Sequence, residues 1–260
     1  MKNTFFDIFH GLTLWKSWIT LAKFDLIKKY KRSFLGPWWI TVTTLILILS
    51  ISFIYSGLFK IDLDKYLLTL SLNFIIWFFI RDSIVESCNA LIDSKSFILN
   101  EKLNLIVLPL RVIYRNFLIF LHNILIFIII LFYFGFNFSY LYFLFSLFSF
   151  LLLLAFLFPI CISVSFVCTR FRDIQMVIKN LMQFLFFISP ILFTKTALLN
   201  FEWIILINPI ALFLLCISEP INLGNINFLY LQILSLYFLA VYVVLFFIYH
   251  KYKSKILYWL

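Results

Sequence analysis

The longest uncharged stretch of this sequence limits what the chain can fold into. The 54 residues from Asn116 to Thr169 contain no Asp, Glu, Lys or Arg. As one helix they would extend about 81 Å, at ~1.5 Å per residue, whereas the apolar core of a bilayer is roughly 30 Å thick. The stretch therefore predicts two membrane-spanning helices, with a turn at Gly135–Ser139 near its middle.

The composition extends this interpretation to the whole chain. Of the 260 residues, 65% are hydrophobic and only 12% are charged, which is typical of an integral membrane protein. The apolar runs leave no segment long enough for a folded domain outside the membrane, so residues 1–260 are interpreted as a single transmembrane domain. The net charge of +10 fits a cytoplasmic excess of basic residues and contact with anionic lipid better than nucleic-acid binding.

The pattern of apolar runs and charges predicts an all-α fold with six transmembrane helices. An amphipathic helix at 10–32 is expected to lie on the membrane surface before the first span. The uncharged segment 203–218, broken at Asn208–Pro209, is short for a crossing and predicts a re-entrant outer segment. The spans are expected at about 38–59, 66–90, 112–135, 141–169, 175–195 and 228–249.

The basic residues orient these spans. Lys and Arg are retained on the cytoplasmic side of a membrane, and most of the 21 in this chain then lie on one side. Both termini are therefore predicted in the cytoplasm.

Charged and polar residues inside the spans are candidates for function. Asp82 and Glu86 are four residues apart on one helical face, which predicts a neighbouring cation or a retained proton. The alternative is that these carboxylates and Arg81 extend to water at the cytoplasmic end.

The third span repeats a polar pair after seven residues, because Arg115 and Asn116 are followed by His122 and Asn123. This spacing places each pair on the same helical face. A buried histidine is more often a hydrogen-bonded core residue than a ligand, and both interpretations stay open for His122.

The segment 91–111 is the longest polar loop on the predicted cytoplasmic side. It predicts either a short helix that docks on a cytoplasmic partner or an ordinary connector. Its charged residues are Asp93, Lys95, Glu101, Lys102 and Arg111.

Several kinds of chemistry are absent from the sequence. With only five glycines, neither a phosphate-binding G-x-x-x-x-G-K-[ST] loop nor a G-x-G-x-x-G turn can be written. The histidines are scattered, and the four cysteines form no C-x-x-C pair, so the cysteines are interpreted as small core residues. We therefore expect no catalytic, cofactor or metal site on this chain. The alternative is a multi-span glycosyl or acyl transferase with Asp82, Glu86 and His122 as its acid-base groups.

Three segments follow one another in an informative order: Tyr30–Trp39, then Arg115-Asn116 with His122-Asn123, then Thr169–Ile174. Together they resemble the membrane subunit of bacterial type 2 ATP-binding-cassette exporters of polysaccharide, most closely the O-antigen (lipopolysaccharide) branch. The resemblance covers nearly the whole chain. Capsular polysaccharide and teichoic-acid exporters share much of the pattern, so those substrates remain alternatives.

The resemblance implies a homodimeric channel in the bacterial inner membrane. Two separate ATPase subunits would bind ATP and Mg and contact Asp93, Lys95, Glu101 and Lys102 in the cytoplasmic loop. The substrate would be undecaprenyl-pyrophosphate-linked glycan. Its diphosphate would enter at the turn after the interfacial helix, beside Lys28, Lys29, Lys31, Arg32, Gly36 and Trp38.

Two further sets of residues take expected positions from the resemblance. Arg170, Arg172 and Asp173 would form a tight inner loop. Asn208, Pro209, Glu219 and Pro220 would form an outer gate, where Glu219-Pro220 replaces the basic residue and proline that are more usual.

Overall fold

The computed structural model describes residues 2–31, 33–34, 36, 38–100, 103–134, 139–193 and 202–260, with side chains omitted for 2–5 and 59. Every regular element in these ranges is helical. The helices are α1 (Lys2–Thr13), α2 (Trp15–Tyr30), α3 (Trp38–Phe59), α4 (Leu63–Ser87), α5 (Lys95–Asn100), α6 (Val107–Phe134), α7 (Tyr140–Arg170), α8 (Ile174–Ile188), α9 (Glu202–Ile207), α10 (Pro209–Leu223), α11 (Phe228–Tyr252) and α12 (Ile256–Trp259).

Five of the described helices are long and apolar enough to cross a membrane: α3, α4, α6, α7 and α11. The chain is thus a membrane protein, as its composition predicted. The long uncharged stretch forms two helices, α6 and α7, and α6 ends at Phe134, close to the predicted turn. Residues 135–138 of that turn lie outside the described part of the chain.

The fifth predicted span, 175–195, differs from the prediction. Helix α8 ends at Ile188 and has 15 residues, or about 22 Å at ~1.5 Å per residue, which is shorter than the roughly 30 Å of a bilayer core. It ends because Ser189 is extended (ψ 148°) before Pro190, as a residue preceding proline prefers. The described residues therefore do not form six continuous helices that each cross the membrane.

Helix α4 lies at the centre of the molecule. It is buried along most of its length and packs against α3, α6, α7 and α10. In contrast, α3 and α11 expose most of their apolar surface, as expected for helices that face lipid. The largest fully buried side chains of α4 include Trp77, Leu68, Leu70, Ile75, Ile76 and Ile80.

The N-terminal arm is two helices rather than the single helix predicted at 10–32, because α1 and α2 meet at the non-helical Leu14. The apolar stripe predicted for α2, which consists of Trp15, Trp18, Ile19, Ala22 and Leu26, faces the protein in part. Ala22 is fully buried, and the Trp18 ring packs edge-on against Tyr114 of α6 at 5.3 Å between centroids, whereas Trp15 is 53% exposed. Phe24 and Ile27, on the other side, are exposed. The side of α2 that carries Trp18 and Ala22 therefore packs against α6.

A second apolar cluster joins the ends of several helices and the C-terminus. It contains Leu91, Ile98, Ile106, Phe166, Tyr249 and Ile256, among others. We call this side of the molecule, where α4 and α7 end and α6 begins, the charged end, because most described Lys and Arg residues lie near it.

Candidate functional site

An aspartate of the N-terminal arm forms the centre of a charged cluster. Arg111 of α6 donates to the Asp25 carboxylate through Nε at 2.5 Å and Nη2 at 2.7 Å. Arg115, one helical turn later on the same face, donates through Nη1 at 3.2 Å. Only 18–19% of each of these three side chains is exposed. Asp25 thereby attaches α2 to α6.

Arg115 also binds α4. Its Nη2 donates to Glu86 Oε2 at 2.7 Å, and Asn116 Nδ2 donates to the same oxygen at 2.8 Å. Asp82 has a cation of its own, because Arg81 Nη2 lies 2.7 Å from Asp82 Oδ1. The sequence predicted a neighbouring cation or a retained proton for the two carboxylates, and the structure places a different arginine beside each of them.

A cavity of about 160 Å³ lies between α2, α3, α4 and α6. Its polar wall includes Lys29, Glu86, Asn116 and Asn123. Asn116 and Asn123 are each 3% exposed, and the side-chain Oδ1 of Asn123 has no hydrogen-bond partner among the described residues. The apolar wall includes Ile75, Phe78, Phe79, Ile119 and Phe120.

A larger groove of about 670 Å³ runs along α3, α4 and α8. Its wall is aromatic, with Phe74, Trp77, Phe78, Phe186 and Phe187, and its charged residues are Arg81, Asp82, Glu86 and Lys179. Arg81, Asp82 and Glu86 line both the groove and the cavity. The same three charged residues therefore border both the cavity and the groove.

The residues predicted near the first turn have different surroundings. Lys28, Lys29 and Lys31 are exposed, but Lys29 alone among them lines the cavity. Gly36 has a φ of 56°, a left-handed conformation that favours glycine, and its N–H donates to Ser33 Oγ at 3.2 Å. Arg32 lies outside the described residues.

His122 does not line the cavity with Asn123. Its Nδ1 lies 2.8 Å from the Leu118 carbonyl oxygen, and its ring packs edge-on against Trp38 at 6.0 Å between centroids. The structure therefore places the half-buried His122 between α3 and α6, hydrogen-bonded within its own helix.

The predicted partner-contact loop contains the short helix α5. Asp93 is exposed, and Lys95 Nζ donates to the carbonyl oxygen of Leu260, which attaches α5 to the C-terminus. Ile98 is buried, whereas Phe97 and Leu99 are 44% and 55% exposed. Glu101 and Lys102 lie outside the described residues.

The predicted inner loop joins α7 to α8. The Arg170 guanidinium lies over three rings, those of Phe171, Tyr252 and Trp259, at 4.8, 5.6 and 5.2 Å. Arg172 and Asp173 are exposed. Arg170 therefore binds the C-terminal segment by cation–π contacts.

The predicted outer-gate residues lie at the start of α10 or within it. Asn208 caps α10 through its Oδ1, which accepts from Ile210 N and Ala211 N, and Pro209 occupies the first turn. Glu219 and Pro220 lie inside α10, which continues to Leu223 and so extends past the end of the predicted re-entrant segment 203–218. Glu219 is buried, with 7% exposure.

Hydrogen bonds connect the end of α8 to the start of α10. Asn208 Nδ2 donates to Ser189 Oγ at 2.9 Å, Asn73 Nδ2 of α4 donates to the Pro190 carbonyl at 3.0 Å, and the Tyr66 hydroxyl donates to the Leu192 carbonyl at 2.7 Å. We call 189–193 with 207–209 the helix-break region.

Sequence reasoning missed Asp25 and Tyr30. The sequence did contain an indication of Asp25, because it is the only acidic residue between His10 and Arg32. Burial and the Glu86 carboxylate raise the pKa of Tyr30, against the opposing effect of Arg115. The buried Tyr30 hydroxyl has no partner among the described residues.

The four cysteines are free and buried, as interpreted from the sequence. In the described ranges, no three His, Cys, Asp or Glu side chains are grouped as a metal site would require. No protein-family model and no curated protein matches the chain.

Proposed function

We propose that the chain is the membrane-spanning subunit of an ATP-driven exporter. Two copies would form a channel in a bacterial inner membrane and associate with two ATPase subunits. The cargo would be undecaprenyl-pyrophosphate-linked polysaccharide of the O-antigen type.

The observation that carries this proposal is the groove along α3, α4 and α8. Its more exposed aromatic side chains, Phe186 and Phe187, offer flat apolar surfaces on which sugar rings can stack without one fixed register. Lys179 of α8 also lines the groove and supplies a cation that can pair with the phosphate groups that precede the glycan. A second copy of the chain facing this groove would close it into a path.

The proposed topology has six crossings with the charged end in the cytoplasm. Helix α8 would cross part of the bilayer, and residues 189–193 would continue beside α4, where Asn73 and Tyr66 bind their carbonyl groups. Helices α9 and α10 would then enter and leave on the outer side. Non-helical backbone at membrane depth is tolerated where protein buries and satisfies it, and these hydrogen bonds satisfy it here.

The charged end also supplies a surface for the ATPase subunits. Phe97 and Leu99 of α5 are exposed apolar side chains on a helix that Lys95 attaches to the C-terminus. Movement of α5 would therefore reach the C-terminal segment and, through Arg170, the end of α7. We expect closure of the ATPases to push on this surface and shift the spans.

The transferase alternative requires Asp82, Glu86 and His122 to act on one substrate. His122 lies against Trp38 and does not line the cavity or the groove that Asp82 and Glu86 border. This geometry favours the exporter, and the experiment below distinguishes the two functions.

The test is to delete the gene in the source bacterium and follow the lipid-linked glycan. An exporter subunit predicts loss of surface polysaccharide with accumulation of full-length lipid-linked glycan in the cytoplasmic leaflet. A transferase predicts that the glycan is missing or truncated. Normal surface polysaccharide in the deletion strain would refute both.

Complementation with groove variants refines the test. Gln183→Trp places a large side chain in the groove and should fail to restore export, because Gln183 lines it. Val177→Trp is the matched control, since Val177 is an exposed residue of the same helix that lines neither space. Export by both variants would argue against the groove as the path.

A further inference from the structure

We propose that the cavity between α2, α3, α4 and α6 binds one neutral sugar ring, the first of the lipid-linked glycan. The inference rests on the proposed function and assigns a recognition site to it. The groove would guide the polymer without selecting a sugar, whereas the cavity would distinguish a lipid diphosphate that carries a sugar from one that does not.

The polar wall of the cavity has unused hydrogen-bonding capacity in a buried position. Asn123 is 3% exposed, and its Oδ1 has no partner among the described residues. Buried polar groups are almost always hydrogen-bonded in native proteins, so such a group calls for water or a ligand. Asn116 and Glu86 border the same space, and a planar amide or carboxylate binds vicinal hydroxyl groups well.

The charges around the cavity favour a neutral occupant. Glu86 already accepts hydrogen bonds from Arg115 and Asn116, and Asp82 is paired with Arg81. A metal cation would meet these arginines and Lys29, and an anion deep in the cavity would meet the two carboxylates. Placing either ion in this partly desolvated cavity would therefore cost electrostatic free energy.

The position of Lys29 indicates where the charged diphosphate would bind. It lines the cavity but has no ion-pair partner in the described part of the chain, and its helix lies on the protein surface. A diphosphate beside the Lys29 ammonium would place the attached sugar at the cavity mouth.

The apolar wall and the size of the cavity fit a single ring. Phe79 and Phe120 are in contact, with ring centroids 5.5 Å apart, and with Phe78 they border the cavity. Aromatic side chains are favourable surfaces for the C–H face of a sugar. The volume of about 160 Å³ equals that of about five waters at ~30 Å³ each, which is enough for one ring and too small for a chain.

The experiment measures what the sugar adds to affinity. The purified protein in lipid nanodiscs is titrated with two short-chain prenyl diphosphates, one bare and one carrying a single N-acetylhexosamine. We expect the glycosylated probe to bind about tenfold more tightly, the equivalent of one or two new hydrogen bonds. Lys29→Ala should weaken both probes by the same factor.

Two variants then locate the sugar. Ile119→Trp, which fills the cavity without removing a polar group, and Asn123→Leu should each abolish the tenfold difference and leave the affinity for the bare diphosphate unchanged. His122→Leu, a control at the neighbouring position outside the cavity, should keep the difference.

The outcomes separate the two proposals. Equal affinity of the native protein for both probes, or a difference that survives Ile119→Trp and Asn123→Leu, would overturn the sugar site while leaving the exporter intact. No binding of either probe, together with normal export in the deletion strain, would overturn the proposed function itself.

Discussion

The charged end and the helix-break region hold α4 in place by opposite means. At the charged end, Arg115 joins Glu86 of α4 to Asp25 of α2 through ionised groups. In the helix-break region, Asn73 and Tyr66 of α4 bind backbone carbonyls of residues 190 and 192 through neutral donors. The charged end connects α4 to the helices α2 and α6, whereas the helix-break region connects α4 to non-helical backbone.

The difference follows from what each region must satisfy. Charges are expensive away from water, so they are placed where several partners share them and part of each side chain stays exposed. A helix that ends inside the protein leaves carbonyl and N–H groups without partners, and neutral amides and hydroxyls satisfy these groups without introducing charge. Removing one contact at the charged end should therefore destabilise the protein more than removing one contact in the helix-break region.

The largest expected effect is that of Arg115→Met. Among the described residues, this change leaves Glu86 without a cation and Asp25 with only Arg111. We expect a loss of about 2–4 kcal/mol, somewhat below the ~3–5 kcal/mol of broken buried pairs because the cluster is partly exposed. Thermal unfolding in detergent can be followed with a thiol-reactive dye, since all four cysteines are buried and free. An unchanged melting temperature would mean that the cluster does not hold α2 and α4 to α6.

The next effect is that of Asn208→Ala. It removes the cap of α10 and the bond to Ser189, which we expect to cost about 1–2 kcal/mol. Asn227→Ala is the matched control, because Asn227 caps α11 through one N–H and has no counterpart to the Ser189 contact among the described residues. Equal losses in the two variants would argue against the helix-break region as a distinct stabilising feature.

A smaller effect is expected for Asn73→Leu. The variant loses the bond to the Pro190 carbonyl but also removes Asn73 Oδ1, which has no partner among the described residues. We therefore expect a loss of about 0.5–1 kcal/mol, typical of a side-chain hydrogen bond within a membrane protein. The same unfolding assay measures it. A loss as large as that of Arg115→Met would remove the contrast between the two regions.

The smallest effect is expected for Asp7→Asn, which breaks the Asp7–Lys253 ion pair. The Lys253 side chain is 44% exposed, and pairs of this kind contribute about 0–1 kcal/mol and weaken with salt. The Asp7 carbonyl, which accepts from Asn104 Nδ2 at 2.9 Å, is retained. Melting curves at low and high salt should differ for the native protein and converge for the variant. A salt-independent loss would point to packing instead.

Much of the fold could be predicted because apolar length and charge position are local properties of the sequence. The bounds of α3, Trp38–Phe59, agree with the predicted first span, and α7 agrees within a residue at each end. The short α8 was harder, since a run of apolar residues up to Thr194 does not reveal that α4 supplies partners for non-helical backbone at Pro190 and Leu192. The interruption at Ser189-Pro190 was the only local signal.

The sequence predicted which residues form the candidate site better than it predicted which of them pair with one another. Arg81, Asp82, Glu86, Asn116 and Asn123 were selected from charge and spacing, and all line one cavity. The pairing of Glu86 with Arg115 rather than Arg81 depends on which helices become neighbours. Asp25 was missed for the same reason, because its partners are 86 and 90 residues away in the chain.

By itself, the sequence determined that this chain is a helical membrane protein and where two of its long helices, α3 and α7, begin and end. Those properties follow from the free-energy cost of placing charges and unpaired backbone groups in the apolar core of a bilayer. Any chain with apolar runs of this length is subject to the same cost. Only the tertiary structure decided which face of α2 is buried, which cation neutralises each carboxylate and where α8 stops. These depend on contacts between segments far apart in the chain, and no local pattern encodes the distance between them.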